Sequence, residues 1–561
     1  MFRRWDILAR IVVRVESDIK VYRLRFKANI VLWSVVGLSG WSGAQTVPGL
    51  SDSGRQAPTD RRSEPYSLQV KSQLVFLDVV VTDKNGAPVA GLTRDSFNVF
   101  ENKLQQPIVS LEEVRSSGPA PVPIHSTAEL DHLEPKAPVT ILVLDEVTST
   151  VEDEGFARYA LKKYLGGEGD ALAQPTMLLA VTLRHQLLLH DYTTSKKDIQ
   201  DALDRHFAGR EWRAAISNPQ GQQVVATLLS LTGVAGAAAG HAGHKNIIWI
   251  GRGFPGIQWD SLPRSTADQF KLAIATCINR LRDARATLYS VDSAGIAAGP
   301  PVTHANPDAL QDGAGSYDIQ DPFGGQVDFD TMARATGGMA LHGTYDVDHL
   351  IASAVSYGEL FYTIAYKPTN LGNDPREFRS IQVVTTDRKL AVSAPAGYFG
   401  GVSPVPPAVD AQGKIPAQVA DDLAVAAEGL TEYDAVPLTI ESVKDKPDYF
   451  QVSFPASAIG WASGGARETS EITLLVSSYD KKGKLLHRDG HVIGFTRQPL
   501  LNNQMENRTL HVQATIPTVS PASRVRVVVR SNGTGKIGTS NYFLSDQNPL
   551  RPLPTASNAP N

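Results

Sequence analysis

The chain of 561 residues has one cysteine, Cys277, so it cannot close an internal disulfide and its domains must be stable on packing alone. It also lacks an excess of either charge: 54 Lys and Arg against 58 Asp and Glu leave a formal net charge of -4. No global field therefore recruits nucleic acid or an anionic membrane, and nucleic acid is excluded as a partner. Beyond residue 44 nothing resembles a membrane-spanning helix, which needs roughly 18 apolar residues. GxSxG, HExxH and a phosphate-binding glycine loop are absent as well, so no catalytic residue can be nominated from a motif.

An export pattern is present at the amino terminus. Basic residues from Arg3 to Lys27 precede the apolar run ANIVLWSVVGLSG, and WSGA follows with Ser42 and Ala44 at the small-residue positions. Residues 1–44 are expected to be a signal peptide cleaved before Gln45. An uncleaved amino-terminal segment is the alternative and the only expected membrane contact. The expected location is outside the cytoplasm: periplasm, cell surface or medium.

A polar spacer, 45–66, is expected to be disordered. In 67–118, alternating apolar residues on both sides of Asn85-Gly86 predict a small antiparallel β unit with a type I′ turn, and a second turn at Glu101-Asn102-Lys103 extends it. The Pro-rich 119–137 reads as a linker. From 138 to 360 short apolar runs alternate with helical patterns, which predicts an open α/β domain with a mostly parallel sheet and helices on both faces. Strand character returns over 361–400, with pairing back onto 67–118 as the expected arrangement. Residues 401–429 read as a second linker and hinge. Residues 430–545 read as a β-sandwich with turns at Gly483 and Gly533, and 546–561 as a disordered tail. In the helix pattern ADQFKLAIATCINRLRDARA, Phe270, Ile274, Cys277 and Leu281 share a stripe, so Cys277 is expected to be a buried core thiol.

The segments VVVTDKNGAPVAGLTRDSFNVFENKLQQPI, VTILVLDEVTST, KNIIWIGRGFPG, ATLYSVDSAGI, ATGGMALHGTYDVDHLIASAV and FYTIAYKPTN, in that order, resemble the VWFA-related domain family common in acidobacteria. The resemblance covers about 70–400 and implies a von Willebrand factor type A-like fold, but little about activity. In type A domains that bind ligand through Mg²⁺, the first strand ends in DxSxS, a later loop supplies Thr, and an Asp follows the central strand. Here Asp145 and Ser149 fit the first and last positions, while Val147 replaces the middle serine and Gly251-Arg252-Gly253 replaces the central carboxylate. The stretch GREWRAAISNPQG offers Ser217 and no Thr, so Thr148 or Thr193 would have to stand in. The site is therefore expected to be degenerate: at most a weak Mg²⁺ site at Asp145 and Ser149, with no other cofactor.

The competing reading is structural, with Asp145 capping the strand end and Ser149 or Thr150 capping the next helix. Ser149 and Glu152 match a capping box, and Asp153 and Glu154 add favourable charge to its first turn. Arg252, if turned toward Asp145, would occupy the cation position itself. His241 and His244 form HxxH in an Ala/Gly stretch and read as a solvated loop. Trp212 between Arg210 and Arg213 has hot-spot composition. The expected ligand-binding edge is the carboxyl end of the sheet, with Asp145, Arg252 and Trp212.

The reading of function is an exported, non-catalytic binding, adhesion or scaffolding protein whose partner is a protein or an envelope polymer. The alternatives are a secreted hydrolase assembled from distant residues such as Asp145, His190 and Asp292, or a purely structural envelope component.

Overall fold

The computed structural model describes residues 20–24, 74–116, 122–183, 186–206, 220–254, 256–258, 262–293, 326–368, 377–400, 405, 407–409, 415–463, 467–497, 508–518 and 521–544. The leader other than 20–24, the 45–66 spacer, Trp212 and the 546–561 tail lie outside the described residues.

The apolar run VTILVLD forms strand β1, Val139–Asp145, all seven residues of which are buried. Such a strand needs cover on both faces, and it has it. Ile141 and Val143 face one core with helices α4 (Gln220–Ala237), α5 (Arg264–Asp283) and α6 (Phe329–Ala335). Leu142 and Leu144 face the other, with α2 (Val151–Gly167), α3 (Lys196–Arg205) and α7 (Val347–Tyr357). The remaining strands of this sheet are β2 (Ala171–Val181), β3 (Gln186–Ser195), β4 (Lys245–Ile250), β5 (Ala286–Val291) and β6 (Ala340–Leu341). Their order is β6-β5-β4-β1-β2-β3, parallel throughout except for β3. Chain direction along the sheet reverses between β1 and β4, so the crevice beyond their carboxyl ends is the place where an open α/β sheet gathers ligands.

Two four-stranded antiparallel sheets enclose a separate core built from Leu77, Val79, Phe97, Val99, Tyr362, Ile364 and Tyr366. Leu360–Tyr366 pairs with Val75–Thr82 on one side and Ile108–Arg115 on the other, so the α/β unit is inserted between two halves of one β unit. The expected I′ turn is not at Asn85-Gly86, where Gly86 alone has positive φ and the Asp83 side chain accepts from Asn85 and Ala87 N–H. Left-handed residues at both central positions occur instead at Asn102 and Lys103, as a two-residue hairpin requires.

The third unit is antiparallel: strands Thr439–Val443, Lys446–Pro455 and Thr509–Thr515 face Glu468–Asp480, Leu485–Arg497, Ala522–Ser531 and Ile537–Phe543 over one apolar core. Its turns have positive φ at Gly483 and at Gly535, rather than at Gly533. Lys20–Leu24, inside the expected leader, pairs antiparallel with Gly490–Gly494.

The expected linkers are partly helical. Thr127–Leu133 forms α1, and Ala417–Glu428 forms α8. Alternation of Ala, Val and Leu lets α8 bury Val419, Leu423, Ala426 and Ala427 against Ala237, Leu475 and Val528. The carboxyl end of α8 and the turn after it leave carbonyls that need donors. Arg526, fully buried, donates to Ala426 O at 2.6 Å and Thr431 O at 2.7 Å; Tyr479 Oη donates to Ala427 O at 2.6 Å. Arg524 reaches Gly429 O at 3.2 Å. Cations at a helix carboxyl end also suit its dipole. Burial, then the charge of Arg524, lowers the Arg526 pKa to about 10, and it is held by carbonyl oxygens rather than a carboxylate.

This arrangement moves the domain boundary: α8 belongs to the carboxyl-terminal unit. A fragment spanning 415–545 is expected to give a cooperative thermal transition, while one starting at 430 aggregates because Arg526 and the Leu475–Val528 face lose their cover. Arg526→Met in the full chain is expected to cost about 3 kcal/mol, from carbonyls left without donors, read by denaturant unfolding.

Candidate functional site

The switch-point crevice is built on Asp145, 2 % exposed at the end of β1. Oδ1 accepts from Val147 N–H at 2.9 Å and Thr148 N–H at 3.1 Å. Oδ2 accepts from Gly253 N–H at 3.0 Å and from the Thr148 hydroxyl. The turn after β4 approaches so closely that a Cβ on Gly251 would lie 2.4 Å from Asp145 Cβ and 2.8 Å from Ser149 Oγ. Gly253, at φ +65, would meet Phe329 at 2.2 Å. Both glycines of the Gly-Arg-Gly turn are therefore steric requirements of the Asp145 contact.

Helix α2 starts from a different capping box than Ser149 and Glu152. Thr150 is the cap: its hydroxyl accepts from Asp153 N–H at 3.2 Å, and its own N–H donates to Asp153 Oδ2 at 2.9 Å. Asp153 has a second task. Arg252 donates to it through Nε at 2.7 Å and Nη2 at 3.1 Å, a bidentate pair that leaves half of the Arg252 side chain in solvent. Burial opposes ionisation of Asp153, but Arg252 and Thr150 outweigh it and hold the carboxyl below its ordinary value. Arg252 thus turns away from Asp145, because Asp153 keeps acceptor capacity beyond the Thr150 N–H, whereas each Asp145 oxygen already accepts twice.

These residues do not fit Mg²⁺. A hard cation needs oxygen lone pairs, and those of Asp145 are met by N–H and O–H donors. Val147 is fully buried in the apolar core beneath α4 and α5, and Arg252 brings positive charge where a carboxylate would help. Ser149 Oγ is buried with no partner among the described residues. Thr148 is spent on Asp145, and Thr193 donates to Asp198 at 3.2 Å. Among the described residues no group of three or more His, Cys, Asp or Glu is placed to hold a metal.

The other sequence candidates separate. His190 pairs in register with Leu178, while Asp145 pairs with Val181, which places His190 two strands away and three residues down the sheet. Its Nδ1 lies 2.6 Å from Asp191 O. Asp292 follows β5, beyond β4, so Asp145, His190 and Asp292 do not converge. Cys277 is buried as expected, and burial pushes its thiol up to about 12.

His241 and His244 are not a solvated loop. Both are buried at the amino edge of the sheet, and each meets a carboxylate distant in sequence: His241 Nδ1 is 2.9 Å from Asp131, and His244 Nδ1 is 2.9 Å from Asp78. Asp78 also takes Arg285 Nη2 at 2.8 Å and the Thr363 hydroxyl at 2.7 Å. Burial penalises its charge, yet His244 and Arg285 hold its carboxyl far below the ordinary range. Sequence separation hid these pairs: the partners lie 110 and 166 residues apart. At the carboxyl edge, buried Glu146 meets His206, a pair created by the packing of α3 on β2 and β3.

With its acceptors filled, Asp145 should act as a structural group. Asp145→Ala is expected to destabilise the protein by about 2–4 kcal/mol through three unpaired N–H groups, with or without metal. Millimolar Mg²⁺ or Mn²⁺ should leave the thermal midpoint unchanged; a metal-dependent rise abolished by Asp145→Ala would overturn the assignment.

No family model matches the chain, and no curated protein sequence matches it.

Proposed function

We propose that this is an exported, non-catalytic scaffolding or adhesion protein whose α/β unit is a type A-like module working without a metal ion. The observation that carries the reading is the Arg252–Asp153 pair at the switch-point crevice, beside an Asp145 closed by four donors. The carboxyl edge presents a half-exposed, pre-oriented guanidinium, a group suited to a polar partner at an interface. The partner class is a protein or an envelope polymer. Three units on one chain, with the α/β unit inserted into the first β unit, suit a scaffold that holds this edge at a set distance from its other surfaces. Among the described residues no helix is long and apolar enough to cross a membrane.

A photoreactive residue placed at Arg252 in the full chain, expressed in its own cells, tests the reading. The expected result is a saturable adduct with an extracytoplasmic protein or polymer, absent when the same probe replaces exposed Leu485 and unchanged by a chelator. Equal labelling from both positions, or adducts lost on chelation, would defeat it. Amino-terminal sequencing of the recovered protein should begin near Gln45; intact Met1 on soluble exported protein would refute cleavage.

A further inference from the structure

At the amino edge of the parallel sheet the carboxyl-terminal unit inserts the side chain of Asp434. Asp434 fits over Gly240, where a Cβ would lie 1.9 Å from Asp434 Oδ1, so the carboxyl is seated in the α/β unit. Both of its oxygens are buried and meet no N–H or O–H donor of another residue among the described residues. The group it faces is another carboxyl, Asp131 of α1. Asp131 Oδ1 is 2.9 Å from His241 Nδ1, and His241 Nε2 is 2.7 Å from Ala137 O. A chain of four polar groups therefore runs carbonyl, imidazole, carboxyl, carboxyl. Its three contacts need three hydrogens, and a neutral imidazole supplies one. Two further protons complete it: one makes His241 a double donor, and the other lies between the carboxyls. The chain is then neutral overall, as its buried members, His241 and the Asp434 oxygens, require.

We propose that Asp131 and Asp434 share one proton, and that this proton latches the carboxyl-terminal unit onto the α/β unit. Without it two carboxylates would face each other, which like charge and the burial of the Asp434 oxygens both oppose, Asp131 being one-third exposed. Burial, followed by the hydrogen bond and charge of Asp131, raises the Asp434 pKa well above the ordinary value, in agreement with the geometry. Asp131 moves down: burial opposes this, but His241 and Asp434 outweigh it.

The other titratable and charged groups around the latch are Lys245 at the start of β4, Asp191 and Tyr192 on β3, Glu432 beside Asp434, and, further out, Arg285 and Asp78. Burial, then Asp434, Asp191 and Asp131 in that order, raises the Tyr192 hydroxyl well above its ordinary value, and burial raises Asp191 and Glu432. Lys245 opposes the latch: burial and Arg285 lower it to about 7, so its contribution grows as pH rises from there toward the ordinary lysine value. The sign for Asp434 is the reverse. A raised carboxyl pKa contributes most below the undocked value and is lost as pH rises through the docked one.

Hydrogen exchange of the full chain, corrected for intrinsic exchange, reads the latch as protection of residues 415–436. Between about pH 5.5 and about pH 8.5 the wild type is expected to lose roughly tenfold or more of this protection. Asp434→Asn supplies a permanent donor to Asp131 and should hold protection within about twofold over the same range. Asp434→Ala, which has no proton to lose, should show lower protection that is equally flat. A wild type without pH dependence, or either variant retaining the wild-type slope, would overturn the proposal.

Discussion

The carboxylate of Asp78 is the constraint on which the arrangement of the units depends. It sits on a strand of the amino-terminal β unit, yet its partners are His244 and Arg285 of the α/β unit and Thr363 of the returning strand. A buried carboxylate left without these donors would be strongly destabilising, so the three segments must meet here or not fold. Arg285 shows the strength of the demand. It occupies a left-handed position, φ +54, just past the end of α5, where glycine is usual, and its side chain goes to Asp78. In a chain without disulfides, such pairs define the relative placement of units that apolar burial alone would leave less specific.

The same logic runs through the other joints. Glu101, buried in the first β unit, is held by Arg379, Tyr366 and Tyr398, residues that lie beyond the inserted α/β unit. Arg526 and Arg524 hold the end of α8 by its carbonyls. Asp434 meets Asp131 and His241 at the amino edge of the sheet. Each joint places a polar group of one segment among partners distant in sequence, and each is specific in direction as apolar contact is not.

At the carboxyl edge the crevice is closed by the chain's own donors. Gly251 and Gly253 let the turn after β4 reach Asp145, so backbone N–H groups take the acceptor positions a cation would use. The charge that remains available is Arg252, pinned by Asp153, which also completes the capping box of α2. A partner would therefore be recognised by hydrogen bonding and charge fixed in the protein itself, and its affinity would depend on salt rather than on divalent ions.

The sequence by itself determined the mixed α/β sheet, because continuous apolar runs such as VTILVLD and KNIIWI need cover on both faces; its insertion between two halves of one β unit was decided by the pairing of Leu360–Tyr366 with Val75–Thr82 and Ile108–Arg115. It also determined that Asp145 lies at the carboxyl edge and that Val147 and the Gly-Arg-Gly turn depart from a metal-binding pattern. Tertiary structure alone decided which oxygen meets which donor: Thr150 rather than Ser149 as the cap, and Asp153 rather than Asp145 as the partner of Arg252. It also turned an Ala/Gly stretch with two histidines into a buried junction, and turned Ala417–Glu428 of the expected hinge into a docked helix. The physical reason is range. Apolar periodicity is local and can be read over ten residues, whereas the partner of a buried charge is chosen by the fold, here across distances of 99 to 166 residues along the chain.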